Sequence, residues 1–555
     1  MDWLKQLSQP TYTVLADRGL KVMARDGTRL ACDVFRPDAS GTFPALLSYS
    51  VYGKDIQRSA ERRLPLSPAR GNGGLEAGNT EFFVSRGYVH VIADCRGSGD
   101  SDGVYDFQGR REQEDGYDLI EWISAQPWCN GNVGMLGMSY FAVIQYLVAA
   151  TQPPHLKAIA PYEAYSDRYR HSVYHGGILN EGFYHQWWGH VSVGTMRPLS
   201  FRYLGEEEAL KRARALMKTP EVADSPFLYI TLKYPEKNPL LFDFLINPHD
   251  GPFYWERSPC RYFEKIKIPC FIAARWSGWP IHLPGALAAW AGIDTPKRML
   301  LMETPSIHGP LRPWDDHKEE ILRWYDHWLK GNDTGMMDEP PIRLLIKGSD
   351  RWLDADQWPP KGVQWTKLHL TAEGSLTGEE PSSTDKKTEF VNDPAILPGQ
   401  RAPHLQFSTE PLLEPLAVIG PIALRLQASL NRSDATLIVS LKDRAPDGSE
   451  HIVTKGWLRA SHRQVDESRS KPGQPFHPHQ DGEPIELGRR YVFAIDVRET
   501  AHEFLRDHRL ILEIAGQDTA ADDPIWYHLC NPVATRHILH FDASEKSHVV
   551  LPVLR

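Results

Sequence analysis

Up to about residue 160 the chain alternates short apolar runs with stretches whose apolar residues recur every three or four positions. The runs at 44–49, 88–94, 133–136 and 156–161 have the length of buried strands, and Leu119, Trp122 and Ile123 give one intervening segment a helical face. Strands alternating with helices predict a mostly parallel sheet with helices on both faces. The rhythm breaks between about Tyr165 and Tyr262, where helix formers and a group of aromatics (Phe183, Tyr184, Trp187, Trp188) show no strand periodicity. It resumes at 270–274 and 299–302. A helix follows with Ile321, Tyr325 and Trp328 on one face, closed by Lys330-Gly331. The interruption predicts a helical cap inserted over the strand ends.

Beyond a short linker at 335–341 the pattern changes. Runs at 342–346, 367–370, 422–426, 436–441 and 491–497 are separated by Gly, Pro and Asp turns, which predicts an all-β sandwich. Two polar loops, 371–389 and 464–487, carry no assignable element. The expected organisation is a sheet domain from 1–165 and 266–335, a cap at 166–265 and a β domain at 340–555.

A chain of 555 residues is too long for one core. Its 41% hydrophobic and 24% charged residues are those of a globular protein. A net charge of −9 without a dense basic stripe argues against nucleic acid or an anionic membrane as partner. No stretch has the length and apolarity of a membrane span, and residues 1–6 have no signal-peptide character. Six scattered cysteines (32, 95, 129, 260, 270, 530) suggest reduced thiols and a cytoplasmic protein. No metal or nucleotide-phosphate motif is present, so the expectation is chemistry by side chains alone, with no cofactor and no metal. Assembly into a homo-oligomer is left open.

Ser139 is the candidate nucleophile. It stands in Gly137-Met-Ser139, after an apolar run and before an apolar helical pattern, the order of a strand-to-helix elbow. The second glycine of G-x-S-x-G is missing, since Phe141 holds that place. An elbow aims the N–H of the next residue, Tyr140, at a developing oxyanion. Tyr52, after the run 46–49, offers a phenol O–H as a second donor. A serine needs a base and a group that orients it. In sheet enzymes of this order the base follows the last strand, which selects His308; His282 and His175 compete and read better as structural hydrogen-bonders. The glycine-rich loop 94–103 lacks the helix start of a dinucleotide fingerprint, so Asp94 and Arg96 are expected to brace a turn.

At these residues the chain resembles the cocaine esterase-like (CocE/NonD) branch of the α/β-hydrolases, related to X-prolyl dipeptidyl aminopeptidases. The likeness runs through Asp26-Gly-Thr28, Tyr52-Gly-Lys54, Asp94-Cys-Arg-Gly97, Gly137-Met-Ser-Tyr140, Gln152-Pro-Pro154, Arg323-Trp-Tyr-Asp-His-Trp-Leu-Lys-Gly331 and Gly456-Trp-Leu-Arg-Ala-Ser-His-Arg463. It implies an α/β-hydrolase domain, an inserted helical cap, a C-terminal jelly-roll and serine hydrolysis of an ester or amide. Carried over by position, Ser139 is similar to the family nucleophile, His308 to its base, and Tyr52 with the Tyr140 N–H to its oxyanion hole. One position departs: Gly278 stands where the family acid is expected. Glu163, at the end of the strand before the cap, is the proposed replacement, with Asp167 and Glu303 as alternatives. The aromatics Trp187, Trp188, Trp276 and Trp279 suggest an apolar or aromatic acyl group. The expected function is a serine ester hydrolase acting through an acyl-enzyme on a small ester or amide. Acyl transfer on the same scaffold, or a degenerate binding protein lacking the acid, are the alternatives. Carbohydrate binding by the jelly-roll rests on fold analogy alone.

Overall fold

The computed structural model describes every residue except 1, 58–75, 190, 224, 304–316, 383–384, 397–399, 519–524, 530 and 543–545. The chain forms two compact units, Met1–Arg168 with Gly189–Leu199 and Tyr254–Arg343, and Tyr169–Trp188 with Ser200–Phe253 and Leu344–Arg555.

Among its described residues the first unit includes the strands β1 (Val14–Met23), β2 (Arg29–Pro37), β3 (Phe43–Ser50), β4 (Val89–Asp94), β5 (Cys129–Met135), β6 (Leu156–Ile159), β7 (Cys270–Arg275) and β8 (Lys297–Met302). They lie in the order β1-β2-β4-β3-β5-β6-β7-β8. Strand β2 runs antiparallel to both its neighbours, and from β4 to β8 every pair is parallel. This is the mostly parallel sheet expected from the alternating pattern, and the α/β-hydrolase sheet that the family resemblance implies. Strand β4 is buried at all six positions, as a strand covered on both faces must be. Helix Lys318–Lys330 packs Ile321, Trp324 and Tyr325 against Leu46, Leu136, Ala158, Phe271 and Leu300, with Trp328 at the margin. Its end is set by Gly331 in the left-handed conformation, φ 73°.

Sequence patterning missed β1. Eight of its ten residues are exposed, and a bulge between Asp17 and Leu20 breaks the alternation that would have announced a strand.

In the second unit, the stretch expected to be helical contains the helices Glu181–Trp188, Ser200–Leu204, Glu206–Leu216, Pro226–Lys233 and Pro239–Ile246. Two start on the same device: Ser225 and Asn238 accept from the N–H of Leu228 and Leu241, with proline next in the chain. From Val363 on, the unit is an all-β jelly-roll domain of antiparallel pairs; the run read at 342–346 was expected in it but lies outside its sheet. Val418, Leu424, Leu426, Val439, Leu441, Ile495 and Leu512 belong to its single core. The runs read at 422–426 and 491–497 are the centre of one much longer strand, Leu416–Leu430, and the first half of another, Arg490–Phe504. The segment 371–389, left without structure in the sequence analysis, contains a short strand, Leu376–Thr377, and the start of Lys387–Asn392. Among the described residues no helix is long and apolar enough to cross a membrane.

Candidate active site

Strand β5 delivers the chain to a tight elbow. Ser139 sits at φ 58°, ψ −115°, a conformation that costs a non-glycine residue on the order of 1–3 kcal/mol, and helix Tyr140–Ala149 begins at the next residue. The elbow is clamped on two sides: Ser139 N–H donates to Tyr162 O (3.0 Å) and Met138 N–H to Glu76 O (2.8 Å). At Gly137, φ 129°, a Cβ would come within 2.5 Å of the Phe141 Cβ and 2.7 Å of Glu76 O, so only glycine fits. Phe141, in place of the usual second glycine, is accommodated because it packs with Phe35, Ala77, Val84 and Ile92, beside the Tyr52 ring.

Beyond β6 the chain continues extended beside β7, and Glu163 N–H donates to Ala273 O (2.8 Å). Glu163 is itself left-handed, φ 59°, and its side chain is fully buried. Its carboxylate accepts from the Arg275 backbone N–H (2.5 Å), from the Arg275 guanidinium (3.2 Å) and from His282 Nδ1 (3.1 Å). The other nitrogen of that imidazole, Nε2, lies 3.4 Å from Ser139 Oγ. Burial alone would raise the Glu163 carboxyl, but the Arg275 charge and the His282 hydrogen bond outweigh it and hold the group at about 2. Glu163 is therefore an anion at neutral pH. An acid, an imidazole and a serine stand in line, the last gap somewhat long, as is common before substrate tightens a site.

His282 was expected to be a structural hydrogen-bonder; the structure gives it this link between Glu163 and Ser139. It precedes helix Leu283–Gly292, after a 3-10 turn, Trp276–Gly278. His308 lies outside the described residues. Of the alternative acids, Glu303 is engaged elsewhere, accepting from the N–H and Oγ of Ser277 (2.9 and 2.8 Å).

The family model of the X-Pro dipeptidyl-peptidases (S15 family) matches residues 26–317, more than half of the chain, and that of the X-Pro dipeptidyl-peptidase C-terminal non-catalytic domain matches 334–550. The chain belongs to the S15 family. The cocaine esterase of Rhodococcus sp. (strain MB1 Bresler) is 28% identical over 612 residues, covering 98% of this chain and 99% of that one. The Xaa-Pro dipeptidyl-peptidase of Lactobacillus helveticus is 31% identical over 410 residues, 66% of this chain and 48% of the relative. Among solved structures, a CocE/NonD family hydrolase from Staphylococcus aureus superposes with a TM-score of 0.75 at 24% identity, over 97% of this chain and 94% of that one. An α-amino acid ester hydrolase gives 0.77 at 19% identity, over 98% and 97%. Both are likenesses of fold.

In this S15 chain the Tyr52 ring meets Tyr140 edge-on (6.0 Å) and Phe141 tilted (6.1 Å), which puts it at the elbow. Tyr140 opens its helix, where the N–H groups lie outside the helix's own ladder. Its side chain is held in a buried network: the phenol donates to Glu112 Oε1 (2.5 Å) and accepts from Tyr105 (3.0 Å), while Cys95 donates to the same Glu112 oxygen (3.0 Å). Trp276 is buried and Trp279 nearly so, beside Gly278. Trp187 and Trp188 lie half-buried in the second unit. Arg96 and Asp94 do brace the glycine-rich loop, though through separate partners. Arg96 forks onto Asp115 (2.6 and 2.5 Å), and Asp94 accepts from the N–H groups of Lys54 and Asp100. His175 hydrogen-bonds to His528 (2.8 Å), the structural role expected of it.

A residue the sequence analysis passed over is Glu76, whose carbonyl clamps Met138. Burial raises its carboxyl to about 8, with Arg275 opposing and Glu163 adding to the rise. At neutral pH it is the protonated neighbour of an ionised Glu163.

Proposed function

We propose that this chain is a serine hydrolase that cleaves carboxylic esters through an acyl-enzyme on Ser139. The observation that carries the reading is the Glu163–His282–Ser139 line, with gaps of 3.1 and 3.4 Å. Ser139 Oγ attacks the ester carbonyl and passes its proton to the imidazole. The C–O bond to the leaving group breaks, and the alcohol departs with that proton. Water, deprotonated by the same imidazole, then releases the acid and restores the serine. The Tyr140 N–H and the Tyr52 phenol are the proposed oxyanion donors. Glu163 fixes the tautomer and stabilises the imidazolium. The Rhodococcus relative, named as a cocaine esterase and matched end to end, supports an ester with an aromatic or apolar acyl group, to which Trp276 and Trp279 beside Gly278 are suited. Amide cleavage, the activity named for other relatives, and acyl transfer use the same steps with another leaving group or acceptor. The free cysteines among the described residues (Cys32, Cys95, Cys129, Cys260, Cys270) favour a cytoplasmic enzyme.

A second assignment of the base has its own support. Strand β8 ends at Met302, and His308 follows it closely in the chain, the usual place for the base in this sheet order. The test is kinetic. Ser139→Ala, His282→Asn and His308→Asn are assayed on p-nitrophenyl esters and anilides, with fluorophosphonate labelling of each. Loss of labelling and of turnover in Ser139→Ala supports the reading, and whichever histidine variant falls by ~10³-fold or more names the base. An unlabelled, unreactive wild-type enzyme would leave the degenerate binding protein standing instead.

A further inference from the structure

In the second unit, the jelly-roll places two imidazoles and a carboxylate side by side on three neighbouring strands. Thr436–Arg444 and Glu450–Arg459 are antiparallel partners, with Asp443 directly opposite His451. Glu450–Arg459 also pairs with Arg490–Phe504, at Gly456 opposite Val497, and this register brings His502 level with His451. Cross-strand neighbours of this kind have Cβ atoms about 4.5–5.5 Å apart, close enough for their side chains to share one ligand. The two rings are 5.4 Å apart and stand nearly edge to face.

We propose that Asp443, His451 and His502 form a binding site for one first-row divalent cation, of which zinc is the reference. Asp443 Oδ2 lies 2.8 Å from His502 Nε2 and 3.8 Å from His451 Nε2, and the three ligand atoms fall within 4.8 Å of one another. A tetrahedral zinc ion with bonds of about 2.0–2.1 Å holds its ligands roughly 3.4 Å apart, so the ion would part the Asp443–His502 pair from 2.8 Å and draw His451 in from 3.8 Å. Most of the freedom is in His451, whose side chain is 59% exposed, whereas Asp443 and His502 are 1% and 2% exposed. The buried pair supplies the inner ligands. The exposed imidazole supplies the access path and leaves the fourth position to water.

The surroundings prepare the carboxylate. His508 Nδ1 holds the other oxygen, Asp443 Oδ1, at 2.8 Å, which orients Oδ2 towards the two imidazoles, as outer partners do for metal-binding carboxylates. When the cation takes His502 Nε2, the proton there moves to Nδ1, which has no hydrogen-bond partner to give up. Two imidazoles with one carboxylate and no thiolate select zinc, cobalt or nickel over calcium and magnesium. Bound there, the ion ties three strands together and stabilises the β domain.

The experiment uses the full chain, stripped with chelator and titrated with Zn²⁺ by calorimetry, with Co²⁺ as a visible-absorption probe and the thermal midpoint as a second readout. The wild type should bind, and binding should raise the midpoint. His451→Ala, an exposed substitution that leaves the fold and ester hydrolysis unchanged, should weaken the site tenfold or more and abolish the cobalt spectrum. His155→Ala, another exposed histidine in the first unit, should change neither. Asp443→Asn should also lose binding, but His451→Ala decides if that variant misfolds. No binding by the wild type, or binding by His451→Ala equal to the wild type, overturns the proposal.

Discussion

A Cβ placed on Gly278 would lie 3.0 Å from Oε2 of Glu163 and 3.3 Å from its Oε1. One carboxylate thus occupies the space that a side chain at residue 278 would enter. At this position the family resemblance expects an acid, and here a carboxylate reaches the same place from the end of β6. Gly278 is not in the left-handed region, so the backbone there accepts other residues, whereas Glu163, at φ 59°, holds a conformation that glycine adopts more easily.

The exchange should therefore be reversible by mutation. Glu163→Gly removes the acid without backbone strain and should lower kcat by ~10³-fold or more, by analogy with loss of a triad acid. Glu163→Gly/Gly278→Asp should regain at least ~10-fold of that loss, because the new carboxylate enters the vacated space beside His282 and Arg275. A double variant no faster than the single one rejects the equivalence of the two positions.

Ser139 offers a stability test as well as a kinetic one. Ser139→Ala and Ser139→Gly both lose the proposed nucleophile, but only glycine adopts φ 58°, ψ −115° without strain. Glycine ordinarily destabilises relative to alanine by about 0.4–1 kcal/mol through the unfolded chain. Strain of order 1–3 kcal/mol outweighs that. Thermal or denaturant unfolding should accordingly find Ser139→Gly the more stable of the two; the opposite order means the elbow stores no strain.

Tyr52→Phe should reduce kcat by roughly 10²–10³ with little change in KM, since an oxyanion donor acts mainly in the transition state. A raised KM at unchanged kcat would make Tyr52 a ground-state contact, consistent with its packing on Tyr140 and Phe141.

Much of this was legible in the sequence because burial writes itself into periodicity. Strand β4 is buried throughout and appears as a mainly apolar run, Val89-His-Val-Ile-Ala-Asp94, and the apolar face of Lys318–Lys330 recurs at helical spacing. The elbow was visible through Gly137 and Ser139, where sterics limit the choice of residue. Other features left no local mark. The exposed edge strand β1 carries polar residues on both faces. Glu76 acts through a main-chain carbonyl, and its unusual carboxyl arises from residues that are distant in the chain. His282 keeps the order serine, acid, histidine but follows β7 rather than the last strand, where the base is expected, and only folding brings it between Glu163 and Ser139.

Glu76 should impose a pH dependence opposite to that of Glu163. The folded state holds the Glu76 proton up to about pH 8, whereas an unfolded glutamate releases it near the ordinary value of 4.5. A carboxyl raised in this way leaves stability intact below about pH 4.5 and removes it progressively as pH rises towards 8, because across that window the folded state binds the extra proton. Glu163, lowered to about 2, contributes stability that is present above about 4.5 and is lost as pH falls towards 2. Glu112 and Glu499, each raised by burial to about 7, add to the alkaline decline, so the wild-type curve alone cannot isolate Glu76. The difference between wild type and Glu76→Gln does, since the amide resembles the protonated acid and cannot ionise. Unfolding midpoints measured from pH 4 to pH 9 should nearly coincide for the two proteins at the acid end and diverge as pH rises, with Glu76→Gln the more stable at pH 8. Parallel curves across the range would show that Glu76 ionises in the folded protein at an ordinary pH and carries no such penalty.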